Sequence, residues 1–233
     1  MPVVLLVRHG RTAANVSGVL AGRTPGIVLD ESGRDQARAV RTRLDGLVAA
    51  DVVSSPLERC VETASALVDD PATLRLDDRL LECDYGGWTG RRLSDLRRTK
   101  LWRVVQEHPA GAVFPGGESL RAVQARAVEA VREHDARIAA ESGPDAVWIA
   151  VSHGDVIKAI AAEALGMHLD LFQRLVVDPG SVTAISYTDR RPFVLRLNDT
   201  SGHLAAFSPP RRRRRRAPTS DAVVGGGRGG PAR

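Results

Sequence analysis

The residues that could do chemistry sit where three apolar runs stop. VVLLV at residues 3–7 ends in Arg8, His9 and Gly10. VV at residues 52–53 gives way to Ser54, Ser55 and Pro56, and then to Arg59. AVWIAV at residues 146–151 ends in Ser152, His153 and Gly154. Two arginines and two histidines suit a tetrahedral oxyanion. Guanidinium forks grip phosphate with paired hydrogen bonds that an ammonium cannot reproduce. A neutral imidazole beside bound phosphate is a competent nucleophile toward phosphorus, and nearby guanidinium charge disfavours its imidazolium form. A second imidazole can donate to the phosphoryl oxygens as their charge grows. The leaving alkoxide then needs a proton, which a carboxylic acid in a partly desolvated loop can supply. Position has to carry this argument, because only Lys100 and Lys158 are lysines among 33 lysines and arginines. In such a chain a lone arginine means little.

The elements that must position these groups follow from periodicity. Residues 3–7 read as a buried strand: short, continuous and followed by a polar break. Residues 32–48 read as a helix, with Ala37, Val40, Leu44 and Leu47 along one face. A short strand at 51–54 leads to Pro56, which costs nothing in a first helical turn, and to a helix over about 57–67 that carries Arg59. A looser stretch, 71–117, holds Glu82, two glycine-rich turns and a helical piece near 101–107. Ser119 caps a long helix to about residue 140. Residues 146–151 form a third buried strand, a helix runs to about 165, and two last strands lie at 181–187 and 193–197. There is no internal repeat. Strands alternating with helices predict an α/β fold, a three-layer α/β/α sandwich around a mostly parallel central sheet. Ligands bind beyond the carboxyl ends of such strands, so Arg8, His9, Arg59 and His153 are expected to meet at one edge.

Length and composition agree. The 233 residues, 43% hydrophobic and 26% charged, suit one sizeable α/β domain or two small ones. No apolar run nears the ~20 residues of a membrane span. The amino terminus lacks a basic region ahead of its apolar run, so no signal peptide is expected. Two cysteines are too few for a disulfide scaffold, and a reduced, cytoplasmic setting is expected. Cys60 and Cys83 each follow a candidate site residue; two small buried hydrophobes are a better reading than a redox switch. His108, His134, His168 and His203 have no motif around them and are expected at the surface or in packing roles.

Several segments together resemble the histidine phosphatase superfamily, which includes the cofactor-dependent phosphoglycerate mutases: LLVRHGRTAAN, SSPLERCVETA, LLECDYGGWTG, PGGES and VSHGDV, in that order. They span residues 3–155, and the likeness extends to Leu197. The resemblance implies that His9 becomes a phosphohistidine, that Arg8, Arg59 and His153 hold the phosphoryl oxygens, and that Asn15 and Gly154 border the same group. It implies Glu82 as the proton donor to the leaving group and later the base for water. Arg23, in AGRTPG, falls in a loop that often lines the pocket. The resemblance implies no metal and no other cofactor, and a small phosphorylated metabolite as substrate. Arg11 departs from the glutamate or glutamine that relatives often carry after RHG. Mutases of the family have a longer insert between Trp88 and the PGGES turn, with basic residues for the substrate carboxylate; Arg97, Arg98 and Lys100 stand in the shorter stretch here. That favours a phosphomonoesterase, with a phosphomutase as the alternative.

Charge divides the chain. From Pro209 onward there are eight arginines and one aspartate, including the run Arg211 to Arg216. Residues 209–233 are expected to form a disordered Arg/Gly/Pro-rich tail behind a catalytic domain over 1–208. A solvated tail is the plainer expectation; weak, salt-sensitive binding of polyanions is the alternative. The sequence leaves the oligomeric state open.

Overall fold

Successive residues of a strand face opposite sides of a sheet, and the first strand divides the core accordingly. In this computed structural model, which describes residues 2–201, the side chains of Val4 and Leu6 join one apolar cluster and those of Leu5 and Val7 the other. All four are fully buried. The sheet has six strands in the order β3-β2-β4-β1-β5-β6. These are β1 (Val3–Arg8), β2 (Val52–Ser54), β3 (Arg75–Leu76), β4 (Val147–Ser152), β5 (Val182–Tyr187) and β6 (Pro192–Asp199). The first four are mutually parallel in the sheet; β5 runs antiparallel to β1, and β6 antiparallel to β5.

Helices α1 (Ala13–Ser17), α2 (Glu31–Arg43), α3 (Glu58–Ser65), α4 (Leu93–Leu96), α5 (Lys100–Glu107), α6 (Leu120–Ser142) and α7 (Gly154–Ala164) complete the fold. Val40 of α2 and Cys60 and Ala64 of α3 pack on the Leu5 side, whereas Val123 and Ala127 of α6 and Ile157 and Ile160 of α7 pack on the Val4 side. This is the expected α/β/α sandwich. Among the described residues no helix is long and apolar enough to cross a membrane. The tail at 209–233 and His203 lie outside the described residues.

The differences from the sequence reading have local causes. The helix expected over 32–48 ends at Arg43, with Leu44 as its cap. Gly46 then adopts φ +79°, which turns the chain and leaves Leu47 packed from a loop. Ser119 does cap α6, its side chain accepting from Ala122 N–H. The edge strand β3 is only two residues long, too short for a periodic signal.

Candidate active site

The register of two strands brings the histidines together. Arg8 is paired with Ser152 in the parallel β1–β4 ladder, so His9 and His153 leave adjacent strands at the same level. The His9 N–H extends that ladder to Ser152 O at 3.0 Å, and the two imidazole centroids lie 5.2 Å apart. β2 ends in register with the same edge and delivers α3, placing Arg59 between them.

Each ring has a definite tautomer. A carbonyl can only accept, so His9 Nδ1, 2.7 Å from Gly10 O, carries the hydrogen and Nε2 keeps its lone pair. Arg59 Nε donates to that lone pair at 3.3 Å. A guanidinium can only donate, so His153 Nδ1, 3.2 Å from Arg59 Nη2, is bare, and Nε2–H donates to Ser55 Oγ at 2.8 Å. Burial, followed by the charges of Arg59 and Arg8, holds His9 well below the usual imidazole range. Burial and Arg59 do the same for His153. Both rings are therefore neutral bases at neutral pH.

The cations have capacity to spare. Arg59 is 2% exposed and gives Nη2 to Gly22 O at 2.8 Å, yet its buried Nη1 has no hydrogen-bond partner. Arg8 gives Nη1 to Val177 O at 2.6 Å and leaves its buried Nε unpartnered. Unpaired buried donors are costly, and these belong to two guanidiniums at one cavity, where they suit the oxygens of an anion. Gly154 makes room for one of them: a Cβ there would lie 3.3 Å from the Arg8 guanidinium. Gly154 also begins α7, whose amino terminus favours an anion.

The cavity has a volume of about 480 Å³ and is bordered by Arg8, His9, Arg59, Glu82, Asn15 and Gly154. Glu82 Oε1 accepts from Cys83 N–H at 2.9 Å. Burial first, then the charge of Asp155, pushes the Glu82 carboxyl up to about 7, against the pull of Arg59. A carboxyl so raised is a proton donor near neutrality. Asn15 is committed in part: its Oδ1 caps α1 by accepting from Thr12 N–H and Oγ1–H, both at 3.0 Å. Arg23 differs from expectation. It is not among the residues bordering the cavity; Nε donates to Glu82 O and Nη2 to Glu118 Oε2, each at 2.8 Å. Its guanidinium is drawn toward a carboxylate and a carbonyl behind the cavity wall.

The sequence reading passed over several residues of this region. Ser55, on the approach to α3, accepts the Nε2–H of His153, whose tautomer Arg59 sets. Thr63 Oγ1 accepts from Gly10 N–H at 3.1 Å. Asp155, inside the quoted VSHGDV, accepts from Tyr85 Oη–H at 2.8 Å and lies 3.6 Å from Lys158 Nζ. Lys158 borders the cavity, and a lysine in a chain that otherwise uses arginine was a usable signal. Cys60 and Cys83 are fully buried and free, and burial pushes the Cys60 thiol up to about 12. His134 is held by Asp77, and His108 and His168 both lie against Asp170. Among the described residues no three His, Cys, Asp or Glu side chains are grouped as a metal site would need.

The mouth of the cavity is framed by backbone. Residues 18–20 and 90–93 run side by side, with Leu93 N–H to Gly18 O, Leu20 N–H to Arg91 O and Gly90 N–H to Leu20 O at 2.8–2.9 Å. Val19, Leu20 and Leu93 face the opening from this frame. Val176, 57% exposed, borders it from the other side.

Comparison with known proteins gives a match over residues 4–200 to the histidine phosphatase superfamily (branch 1). The chain is 29% identical over 220 residues to phosphoserine phosphatase 1 of Hydrogenobacter thermophilus, covering 89% of this chain and 96% of that protein. It is 28% identical over 188 residues to a 2,3-bisphosphoglycerate-dependent phosphoglycerate mutase of Thermoplasma acidophilum, covering 79% and 87%. Among solved structures, Bacillus stearothermophilus YhfR superposes with a TM-score of 0.78 at 27% identity, covering 86% of this chain and 98% of the other.

Proposed function

The chain belongs to the histidine phosphatase superfamily, and on that premise we propose that it is a metal-independent phosphomonoesterase acting on a small phosphorylated metabolite. One observation carries the reading: His9 Nε2 carries no hydrogen and is held neutral beside Arg59, in a cavity where Arg59 and Arg8 each keep an unpartnered buried donor.

The reaction proceeds in two displacements. The phosphoryl group enters with its oxygens against Arg8, Arg59, Asn15 and the amino terminus of α7. His9 Nε2 attacks phosphorus, the bond to the leaving oxygen breaks, and Glu82 gives that oxygen its proton. Water then attacks the phosphohistidine, Glu82 takes a proton from it, and the Nε2–P bond breaks to release phosphate. His153 Nδ1 carries no hydrogen and accepts from Arg59 Nη2, so it must take up a proton and release that contact before it can donate to a phosphoryl oxygen. The incoming dianion supplies the charge that favours this.

The short stretch between Trp88 and the PGGES turn favours water as the second acceptor, because it lacks the longer insert that mutases of the family carry there. A phosphomutase outcome is the second reading, supported by the nearly equal identity to a mutase. Turnover in isotope-labelled water separates them: hydrolysis puts label into released phosphate, and a mutase gives an isomeric phosphoester without it. The nucleophile is tested by acid-free quenching during turnover and peptide mapping. Phosphate should appear on the peptide carrying His9 and vanish, with turnover, in His9→Ala. An H9A protein that still hydrolyses phosphoesters would defeat the mechanism. The two free, buried cysteines suit a reducing, cytoplasmic setting.

A further inference from the structure

Glu82 stands on a stretch, residues 82–85, that is neither helix nor strand. A proton donor must be held to a fraction of an ångström, and loose chain does not do that unaided. Three side chains outside the cavity lining supply the restraint. Glu82 O accepts from Arg23 Nε at 2.8 Å and from Arg126 Nη2 at 3.2 Å. Arg126 Nη1 donates to Arg79 O at 2.6 Å, and Asp84 N–H donates to Glu118 Oε2 at 2.9 Å. The Glu118 carboxylate ties the two guanidiniums together: Arg126 Nε to Oε1 at 2.8 Å, Arg126 Nη2 to Oε2 at 3.0 Å, and Arg23 Nη2 to Oε2 at 2.8 Å.

The restraint reaches the carboxyl itself. The clamped backbone includes the Cys83 amide, and that amide holds Glu82 Oε1. The anchor is firm because Arg126 rises from α6, a 23-residue helix rooted in the core, and Glu118 immediately precedes its cap. Exposed ion pairs contribute little, but here the Arg126 and Glu118 side chains are only 16% and 22% exposed and meet through two parallel bonds. Although burial alone would raise it, hydrogen bonds from Arg126 and Asp84 N–H keep the Glu118 carboxyl below its usual range, so the clamp stays charged.

We infer that Arg126 and Glu118, with Arg23 as a third member, are positioning residues that aim the Glu82 proton at the leaving-group oxygen. The inference rests on Glu82 being the donor, and the test separates the two. An alkyl phosphate needs that proton as its alkoxide leaves, whereas 4-nitrophenyl phosphate expels a stable phenolate without it. The readout is kcat/KM, which covers only the steps through phosphohistidine formation, for glycerol 2-phosphate relative to 4-nitrophenyl phosphate. Glu82→Gln sets the reference by collapsing this ratio. Arg126→Gln and Glu118→Gln should each lower it by about tenfold or more, short of the roughly hundredfold or greater contribution of a general acid because the carboxyl is misaimed rather than removed. Arg23→Gln, whose side chain is 32% exposed and removable without opening the core, should lower it about threefold. If E82Q collapses the ratio while all three clamp variants keep it, the clamp is wrong and the donor stands. Clamp variants that lose both substrates in equal proportion would likewise overturn positioning, leaving only a structural role. If Arg126→Gln does not fold, the ratios in E118Q and R23Q decide. An unchanged ratio in E82Q would sink the donor assignment itself.

Discussion

At the scale of single residues, Asp155 is the most informative neighbour of the proposed donor. Its carboxylate is the second cause, after burial, of the raised Glu82 carboxyl. Neutralising it in Asp155→Asn should therefore lower the Glu82 pKa, because less charge then opposes ionisation. Glu82 must be protonated to act, so activity toward alkyl phosphates falls as pH rises through its pKa. The alkaline limb of the kcat/KM profile should move to lower pH in D155N, while the acid limb, set by His9, which attacks only when neutral and is held well below the usual imidazole range, should stay where it is. An alkaline limb that stayed put would remove Asp155 from this role. The residues themselves were legible in part. Arg8, His9 and His153 stand at strand ends and Arg59 on the helix that follows β2, so their convergence is legible from the order of elements. Arg23 was misplaced because a loop arginine's direction depends on which carboxylate lies nearest in space, and Glu118 is 95 positions away in sequence.

At the scale of elements, close backbone contact fixes how β1 meets α2. A Cβ on Gly10 would fall 2.3 Å from Gly33 O, and one on Gly33 would fall 2.1 Å from Arg11 O. Neither contact is with a flexible side chain, so the backbone itself would have to move. Gly33→Ala alters no residue of the cavity wall, yet it should cost about 1–3 kcal/mol, typical of overpacking, and should lower kcat by shifting residues 9–11. Urea unfolding and steady-state kinetics on the same preparation test both halves; a G33A protein with unaltered midpoint and turnover would show the contact to be slack. The strands and long helices were readable because one face of each is apolar at a fixed period. The clamp on Glu82 was not, since it joins residues 23, 82, 118 and 126 through no periodic signal.

At the scale of the whole molecule, the sheet brings the working groups to one edge using residues between 8 and 178, all within the matched region. The chemistry proposed for that edge calls on no residue beyond 178. Deleting 209–233 should leave kcat/KM for a small aryl phosphate within about twofold in 150 mM salt, where charge beyond about 8 Å is screened. Polyanion binding, measured by retention on heparin, should fall sharply. Loss of catalysis on truncation would show that the tail belongs to the active unit. The fold class was legible because alternating strands and helices admit few arrangements. The reversal of β5 and β6 was not, because a strand's direction leaves no mark on its own composition.

The paired backbones of 18–20 and 90–93 separate two properties of the entrance that often change together. Main-chain bonds set its width, while the side chains of Val19, Leu20 and Leu93 set only its facing. Such a doorway can be retiled without moving its jambs. Selectivity for the alcohol portion of a phosphoester can thus drift, or be redesigned, one side chain at a time with the phosphate machinery untouched behind it.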